Sequence, residues 1–371
     1  MLFFKFDRRI FQCFDWILLA LVLSICAIGI INIYSAAYSF DEIQVPHYLR
    51  QIQWVLLGSF FMVVVFLVDY RIINEVAYVI YGLSVALLLV VFLYGYTTHG
   101  SQRWISLGGF SFQPSELMKL TVILALSRYF DDHKSNESYT LKELFFPFLI
   151  VLVPFVLILK QPDLGTALVV LIIFVSMSFF VGVNWKSVAV VFTVSLMLLP
   201  LGWHFLKDYQ KDRLIMFLNP DNDPLGAGYH IIQSMIAIGS GGIFGKGFLK
   251  GSQTQLKFLP EQQTDFVFSV FAEEWGFVGA LFLLILFMSL IFWCLKIALH
   301  SRDFLGTLIA FGITALISWE VFINIGMVLG ILPVVGIPLP FLSYGGSAMV
   351  VLMTATGLLM NISVARFLLQ R

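Results

Sequence analysis

The sequence predicts an all-α polytopic membrane protein with about ten transmembrane helices and one large extracytoplasmic loop between the seventh and the eighth. Three observations predict it. Hydrophobic residues make up 60% of the 371-residue chain and charged residues only 12%, against about 25% charge in an ordinary soluble domain. The mean hydropathy is +0.94. Apolar runs long enough to cross about 30 Å of hydrocarbon as a helix, roughly 17–25 residues, recur along the chain. A membrane β-barrel would instead read as short segments of alternating polarity.

The candidate spans fall at about 16–34, 52–68, 75–95, 113–130, 144–160, 163–183, 187–205, 265–297, 304–329 and 344–366. The first follows Lys5, Arg8 and Arg9. Its apolar run, Trp16 to Ile33, is long for a signal-peptide core and reads as a retained span, although Ser35-Ala36-Ala37 offers a cleavage-like alternative. With the N-terminus inside, twelve Lys and Arg fall on inner segments and three (Arg50, Arg103, Lys160) on short outer loops. That asymmetry places both termini in the cytoplasm. The loop 206–264 holds six more basic residues, but a loop of that length crosses largely regardless of charge. The chain 1–371 therefore reads as a single integral membrane domain.

Zero net charge gives no case for a nucleic-acid partner. Cys13, Cys26 and Cys294 have no metal or redox spacing and read as small buried hydrophobes. The unusual sequence lies on the outer side. In the long loop, Asn219-Pro220-Asp221-Asn222-Asp223-Pro224 is dense turn chemistry, and residues 229–238 predict a short interfacial helix. GSGGIFGKG (239–247) superficially suggests a phosphate loop. Ser240 stands where its first glycine belongs and Gly247 where Ser or Thr would bind magnesium, so tight turns are the better reading.

Asp265 stands where the long polar loop enters an apolar helix, in FLPEQQTDFVFSVFAEEWGFVG (258–279). Two roles fit it there: a cap for that helix, or a catalytic base whose pKa is raised by an apolar pocket. Glu116 and Lys119 in QPSELMKL (113–120) lie one turn apart, either as a wet surface pair worth about 0.2–0.5 kcal/mol or as cavity-lining charges. Arg103 is a candidate phosphate ligand beside an interfacial Trp104, and Asp163 either caps its helix or faces the same cavity. Glu273 and Glu274 read as braces, toward Asn324 or Glu320. LPFLSYGGS (339–347) is a Pro/Gly-broken segment at membrane depth, tolerated only when buried in protein or lining a cavity. Cations at Lys119, Arg103 and Arg213 with a carboxylate at Asp265 would suit glycosyl transfer from a lipid diphosphate.

QPSELMKL, QPDLGTALV, GYHIIQSMIAIGSGGIFGKG, FLPEQQTDFVFSVFAEEWGFVG and LPFLSYGGS together resemble the SEDS family (shape, elongation, division and sporulation) over nearly the whole chain. The short N-terminus and NIGMVLGILPVVGIPLPFLSYGGS are similar to its cell-elongation branch. The resemblance implies a peptidoglycan glycosyltransferase of the bacterial inner membrane that polymerises lipid II on the outer face, extending the nascent glycan strand and releasing polyprenyl diphosphate. It implies Asp265 as the essential acid, Glu116, Lys119 and Asp163 as cavity residues, and Arg50 as a weaker match. It also implies a divalent cation (Mg2+ or Mn2+) at a site the sequence leaves unknown. The implied partner is a class B penicillin-binding protein, a PBP2-type transpeptidase of the elongation complex. The sequence departs mildly at Gln262-Gln263 and at Trp275, where other residues are common. A lipid-precursor flippase and a non-catalytic scaffold are the alternatives from other classes. A flippase has nothing to do in detergent, and a scaffold tolerates neutralisation of Asp265.

Overall fold

In the computed structural model, residues 14–37, 47–98, 101–107, 110–134, 138–190, 193, 197, 211, 227–256, 258–259 and 261–368 are described. The first half runs α1 (Trp16–Ala37), α2 (His47–Leu67), α3 (Tyr70–Glu75), α4 (Ala77–Tyr94), β1 (Tyr96–Thr98), β2 (Ser101–Leu107), β3 (Phe110–Phe112), α5 (Pro114–Asp132), α6 (Phe145–Lys160) and α7 (Leu164–Val181). The second half runs α8 (Ala227–Gly241), α9 (Ser252–Gln255), α10 (Val267–Leu299), α11 (Phe304–Val328) and α12 (Gly346–Leu368). Among the described residues, α1, α2, α7, α10, α11 and α12 are long and apolar enough to cross a membrane, and α4 and α6 are shorter apolar helices. Helices lie over nine of the ten candidate spans; the seventh, 187–205, falls largely outside the described residues.

The helices nearest the middle of the bundle carry its polar residues. α5 is buried along most of its length despite Glu116 and Lys119, and α11 is buried on most faces, Glu320 and Asn324 included. α1, α4 and α10 instead leave Leu, Phe, Val and Ile side chains exposed, as lipid-facing helices do. Small residues let neighbours approach closely. A Cβ on Gly357 of α12 would stand 2.4 Å from the Met62 carbonyl oxygen of α2. Asn361 of α12 then closes the break between α2 and α3: its amide donates to the Phe66 and Val68 carbonyls at 2.7 and 2.8 Å, and its Oδ1 accepts from Tyr70 N. At the same end, Asp303 caps α11 through Gly306 N and accepts from Arg71 and from Tyr70 Oη. Burial would raise the Asp303 carboxyl, but the Gly306 amide, the Tyr70 hydroxyl and the Arg71 guanidinium outweigh it and hold the group below its ordinary range.

The all-α expectation needs one correction. The strands β1, β2 and β3 form a small antiparallel sheet in that order, pairing Thr98 with Ser101 and Leu107 with Phe110. Gly108-Gly109 between two short alternating runs is a hairpin signal, overlooked because the flanking spans dominate the hydropathy. The helix expected over 229–238 is present as α8. Its Ile231, Ser234 and Ala237 are buried, so one face belongs to the bundle.

The expected eighth span is also interrupted. Within α10, Gly276 adopts φ 66° and ψ −164°, a region only glycine occupies at low cost. The break frees backbone groups on both sides, and the GSGGIFGKG turns satisfy them. Lys246 N and Gly247 N donate to the Glu273 and Glu274 carbonyls at 3.1 and 3.0 Å, while Phe277 N and Val278 N donate to Gly242 and Ile243 at 2.9 and 3.1 Å. Backbones approach so closely that a Cβ on Gly276 would lie 2.2 Å from Gly245 N. Gly276→Ala is therefore expected to destabilise the protein by about 3 kcal/mol or more, whereas Gly82→Ala, where a Cβ meets open space, should be close to neutral. Thermal unfolding of the two variants in detergent, followed by tryptophan fluorescence, checks this.

Candidate active site

Asp265 lies in a turn over 261–266 that leads into α10. Phe266 takes the helix N-cap position and makes no side-chain cap bond, so the carboxylate stands just outside the helix. The backbone around it is tied down by four hydrogen bonds. Tyr344 N donates to Gln263 O at 2.9 Å, Ser343 Oγ to Thr264 O at 2.6 Å, Asn324 Nδ2 to Asp265 O at 3.0 Å and Asn32 Nδ2 to Val267 O at 2.8 Å. Gln262 Nε2 adds a bond to Ala36 O at 2.7 Å. The donors come from α1, α11 and the segment before α12, so three distant parts of the chain fix one turn. Asp265 Oδ2 lies against Gly336, where a Cβ would stand 3.2 Å away and where φ is 72°. Asp265 itself is partly accessible.

The broken segment 333–345 supplies much of this frame, as its Pro/Gly content predicts. Val335, Ile337, Leu339, Phe341 and Leu342 are buried. Ser343 Oγ accepts from Leu339 N at 2.8 Å while donating to Thr264 O, and Asn324 Nδ2 reaches Ile337 O at 2.7 Å as well as Asp265 O. Gln51 of α2 holds the far side, donating to Ser343 O at 3.1 Å. Irregular backbone inside the bundle is thus satisfied by side chains chosen for it.

Two charged clusters lie among the helices. Lys119 Nζ stands 2.7 Å from Glu116 Oε2 and 2.5 Å from Glu320 Oε1, with all three side chains buried. Asp163 caps α7 through Thr166 N at 3.2 Å and accepts from Gln113 Nε2 at 3.1 Å. Gln113 N in turn donates to Ser347 Oγ at the start of α12. Arg103 lies 3.7 Å from Asp163 and donates to the Gln161 and Pro162 carbonyls. β2, α5, α7 and α12 meet at this point.

Residues 15–367 match the FtsW/RodA/SpoVE family, described as cell cycle protein. The chain belongs to this family. It is 43% identical to the peptidoglycan glycosyltransferase MrdB of Escherichia coli K12 over 323 residues, 87% of each chain. It is 37% identical to the peptidoglycan glycosyltransferase RodA of Treponema pallidum, covering 94% of this chain and 97% of that one. Among solved structures, a chain of a peptidoglycan synthase complex that coordinates polymerization and crosslinking superposes with TM-score 0.81 at 34% identity, covering 96% and 99% of the two chains. The rod shape determining protein RodA of Thermus thermophilus superposes with TM-score 0.71 at 31% identity, covering 95% and 98%.

In this family member several expected site residues sit differently from the simplest reading. Lys119 is held between two acids and does not present an open cation, because an ammonium among helices is stable only when paired. Arg103 spends its guanidinium on backbone carbonyls and Asp163. Arg50 is exposed on α2, and Arg213 lies outside the described residues. Glu273 and Glu274 do brace the fold, but toward the loop after α8 rather than toward Asn324 or Glu320. Glu273 accepts from Lys246 Nζ at 2.7 Å and from the Gln253 and Thr254 amides; Glu274 accepts from Leu249 N and Ser35 Oγ. The reason is the break at Gly276, which brings that loop against the first turns of α10. Sequence reasoning missed Gln113, Ser347, Gly336 and Asn32. Asn32 alone left a signal, a polar residue inside Ile30-Ile31-Asn32-Ile33.

Removing the cation from the buried triad should be costly. Lys119→Met leaves two carboxylates facing each other and is expected to lose about 3–5 kcal/mol of stability, and adding Glu320→Gln should recover part of it. Thermal unfolding of the wild type, the single variant and the double variant measures both steps.

Proposed function

We propose that the protein is a peptidoglycan glycosyltransferase that polymerises lipid II into β-1,4-linked glycan for cell elongation, with Asp265 as its general base. The observation that carries the assignment is the immobilised turn. A base must be held within hydrogen-bond reach of the proton it takes, and a site built on packed helices holds it more closely than a free loop does. Four hydrogen bonds hold the backbone carbonyls of Gln263, Thr264, Asp265 and Val267, the Gln262 side chain adds a fifth to Ala36 O, and the Gly336 backbone backs the carboxylate. A helix cap alone would not require that frame.

In this reading Asp265 takes the proton from the 4-hydroxyl of the acceptor GlcNAc. The oxygen attacks C1 of the lipid-linked MurNAc, the bond from C1 to the diphosphate oxygen breaks with inversion, and polyprenyl diphosphate leaves. Glu116, Lys119, Asp163, Arg103, Arg50 and Arg213 are proposed on the substrate side of the same region. Lys119, Glu116 and Glu320 set the local charge as a unit, and Arg103 with Asp163 shapes the wall between β2 and α7. Ten spans, cytoplasmic termini, the large loop before α10 and an outward-facing site are part of the proposal, supported by the asymmetry of Lys and Arg. The proposed partner is a class B penicillin-binding protein that crosslinks the strands, which the likeness to a polymerization and crosslinking complex supports.

A divalent cation remains proposed for activity. Among the described residues no three His, Cys, Asp or Glu side chains gather to hold one.

Asp265→Asn is expected to lower polymerisation of lipid II in detergent at least about 100-fold, in line with the loss of a general base, with an unchanged elution profile. Gel separation of the glycan products measures it, and normal chain growth by the variant would remove Asp265 from the mechanism. EDTA is expected to stop the same reaction, and excess Mg2+ or Mn2+ to restore it.

A further inference from the structure

The end of the bundle remote from Asp265 carries a pocket, built where α1 begins and where α10 and α12 end. It has a volume of about 390 Å³ and is walled by Asp15, Trp16, Trp293, Lys296, His300 and Arg366. Lys296 lies nineteen residues beyond Phe277 on the unbroken part of α10, roughly 28 Å at 1.5 Å per residue, and Asp265 lies on the far side of the Gly276 break. The pocket is therefore separate from the glycan-forming region.

We propose that this pocket binds the phosphate headgroup of an anionic membrane lipid. Three observations carry the proposal. First, Lys296 and His300 from α10 and Arg366 from α12 bring their basic side chains to one cavity. Lys296 Nζ is held 4.3 Å over the Trp293 ring, which fixes the ammonium at the wall. Secondly, Asp15, the acid among the described residues of the wall, is already engaged. Asp15 accepts from Trp293 Nε1 at 2.8 and 3.0 Å, from Ser363 Oγ at 3.0 Å and from Leu18 N at 3.1 Å. It therefore orients the tryptophan and starts α1. His300 Nδ1 donates to the Lys296 carbonyl at 2.8 Å, which ties the imidazole to the end of α10 at the wall. Thirdly, apart from Ser363, which donates to Asp15, the rest of the wall is apolar: Ile17, Ile297 and Ile362 join the two tryptophans.

That combination favours a lipid over a free ion. Tryptophan concentrates where headgroups meet hydrocarbon, and basic pockets between helix ends suit anionic headgroups. An inorganic phosphate would gain nothing from the aliphatic wall, whereas a glycerophospholipid can lay acyl chain on it while its phosphate meets Lys296 and Arg366.

Native mass spectrometry of the full-length protein in neutral detergent tests this. Delipidated protein is titrated in parallel with dioleoyl-phosphatidylglycerol and dioleoyl-phosphatidylcholine, each with and without millimolar inorganic phosphate. Phosphatidylglycerol is expected to bind tighter than phosphatidylcholine, and Lys296→Gln with Arg366→Gln to weaken it about 30-fold, about fivefold for each cation removed. Phosphatidylcholine binding should be unchanged and inorganic phosphate should not compete. Equal phosphatidylglycerol retention by wild type and double variant would overturn the proposal. Displacement by phosphate would overturn it too, reassigning the pocket to a free anion. Should the double variant elute as an aggregate, Lys296→Gln alone carries the test with a fivefold loss expected, and Lys296→Arg should retain binding.

Discussion

A broken helix inside a membrane protein cannot hand its freed amides and carbonyls to water, so the protein must answer each of them itself. That constraint organises the molecule. At Gly276 the answer is a glycine-rich loop laid into the gap. Between α2 and α3 it is the single side chain of Asn361. Between α11 and α12 it is shared by Asn324, Ser343 and Gln51. Each break is where the chain stops being a rod and can present a side chain at a chosen angle; one of the three adjoins the Asp265 turn and a second lies one short helical stub away from it. Breaks that would weaken an isolated helix are what allow this bundle to build a site.

The buried charges follow the same logic with larger energies. A lone ammonium or carboxylate among helices is unfavourable by several kcal/mol, and pairing offsets this only when the remaining hydrogen bonds are made. Lys119 answers with two acids at 2.5 and 2.7 Å. Glu273 answers with a lysine, two amides and hydroxyls from the adjoining loop. Neither cluster is an economical way to gain stability, since well-packed hydrophobic residues often serve as well. Their value lies in fixing which element meets which: α5 with α11, and the loop after α8 with the start of α10.

The parts of this architecture legible in the sequence are those with local signatures. Apolar runs marked the long helices to within a few residues, and the Pro/Gly-rich 339–347 segment declared itself as irregular and buried. Asp265 stood out because an acid stands where a long polar loop enters an apolar helix. What stayed hidden depended on partners distant in sequence. Glu320, expected opposite Glu273 or Glu274, instead meets Lys119 of α5, two hundred and one residues away. Gly276 looks like one more small residue in an apolar helix, since nothing local reports that Gly245 will press against it. The β1-β2-β3 sheet was legible in Gly108-Gly109 but is too short to register in windows tuned to spans.

Glu273 and Glu274 show how the loop and the base are coupled. The stretch from Val267 to Trp275 is a stub of about two and a half turns, severed at Gly276 from the long helix that follows. On its own it would be free to pivot about that glycine. Lys246, Gln253 and Thr254 grip Glu273, while Leu249 and Ser35 grip Glu274, so the stub's orientation is dictated by the loop and by α1. Asp265 sits at the stub's other end, where Asn324 and Ser343 complete the clamp. Any displacement of residues 241–254 must therefore either break several charge-assisted hydrogen bonds or carry the Asp265 turn with it. The rigid unit around the base is the stub with its loop, and the long remainder of α10 is the pillar against which that unit is set.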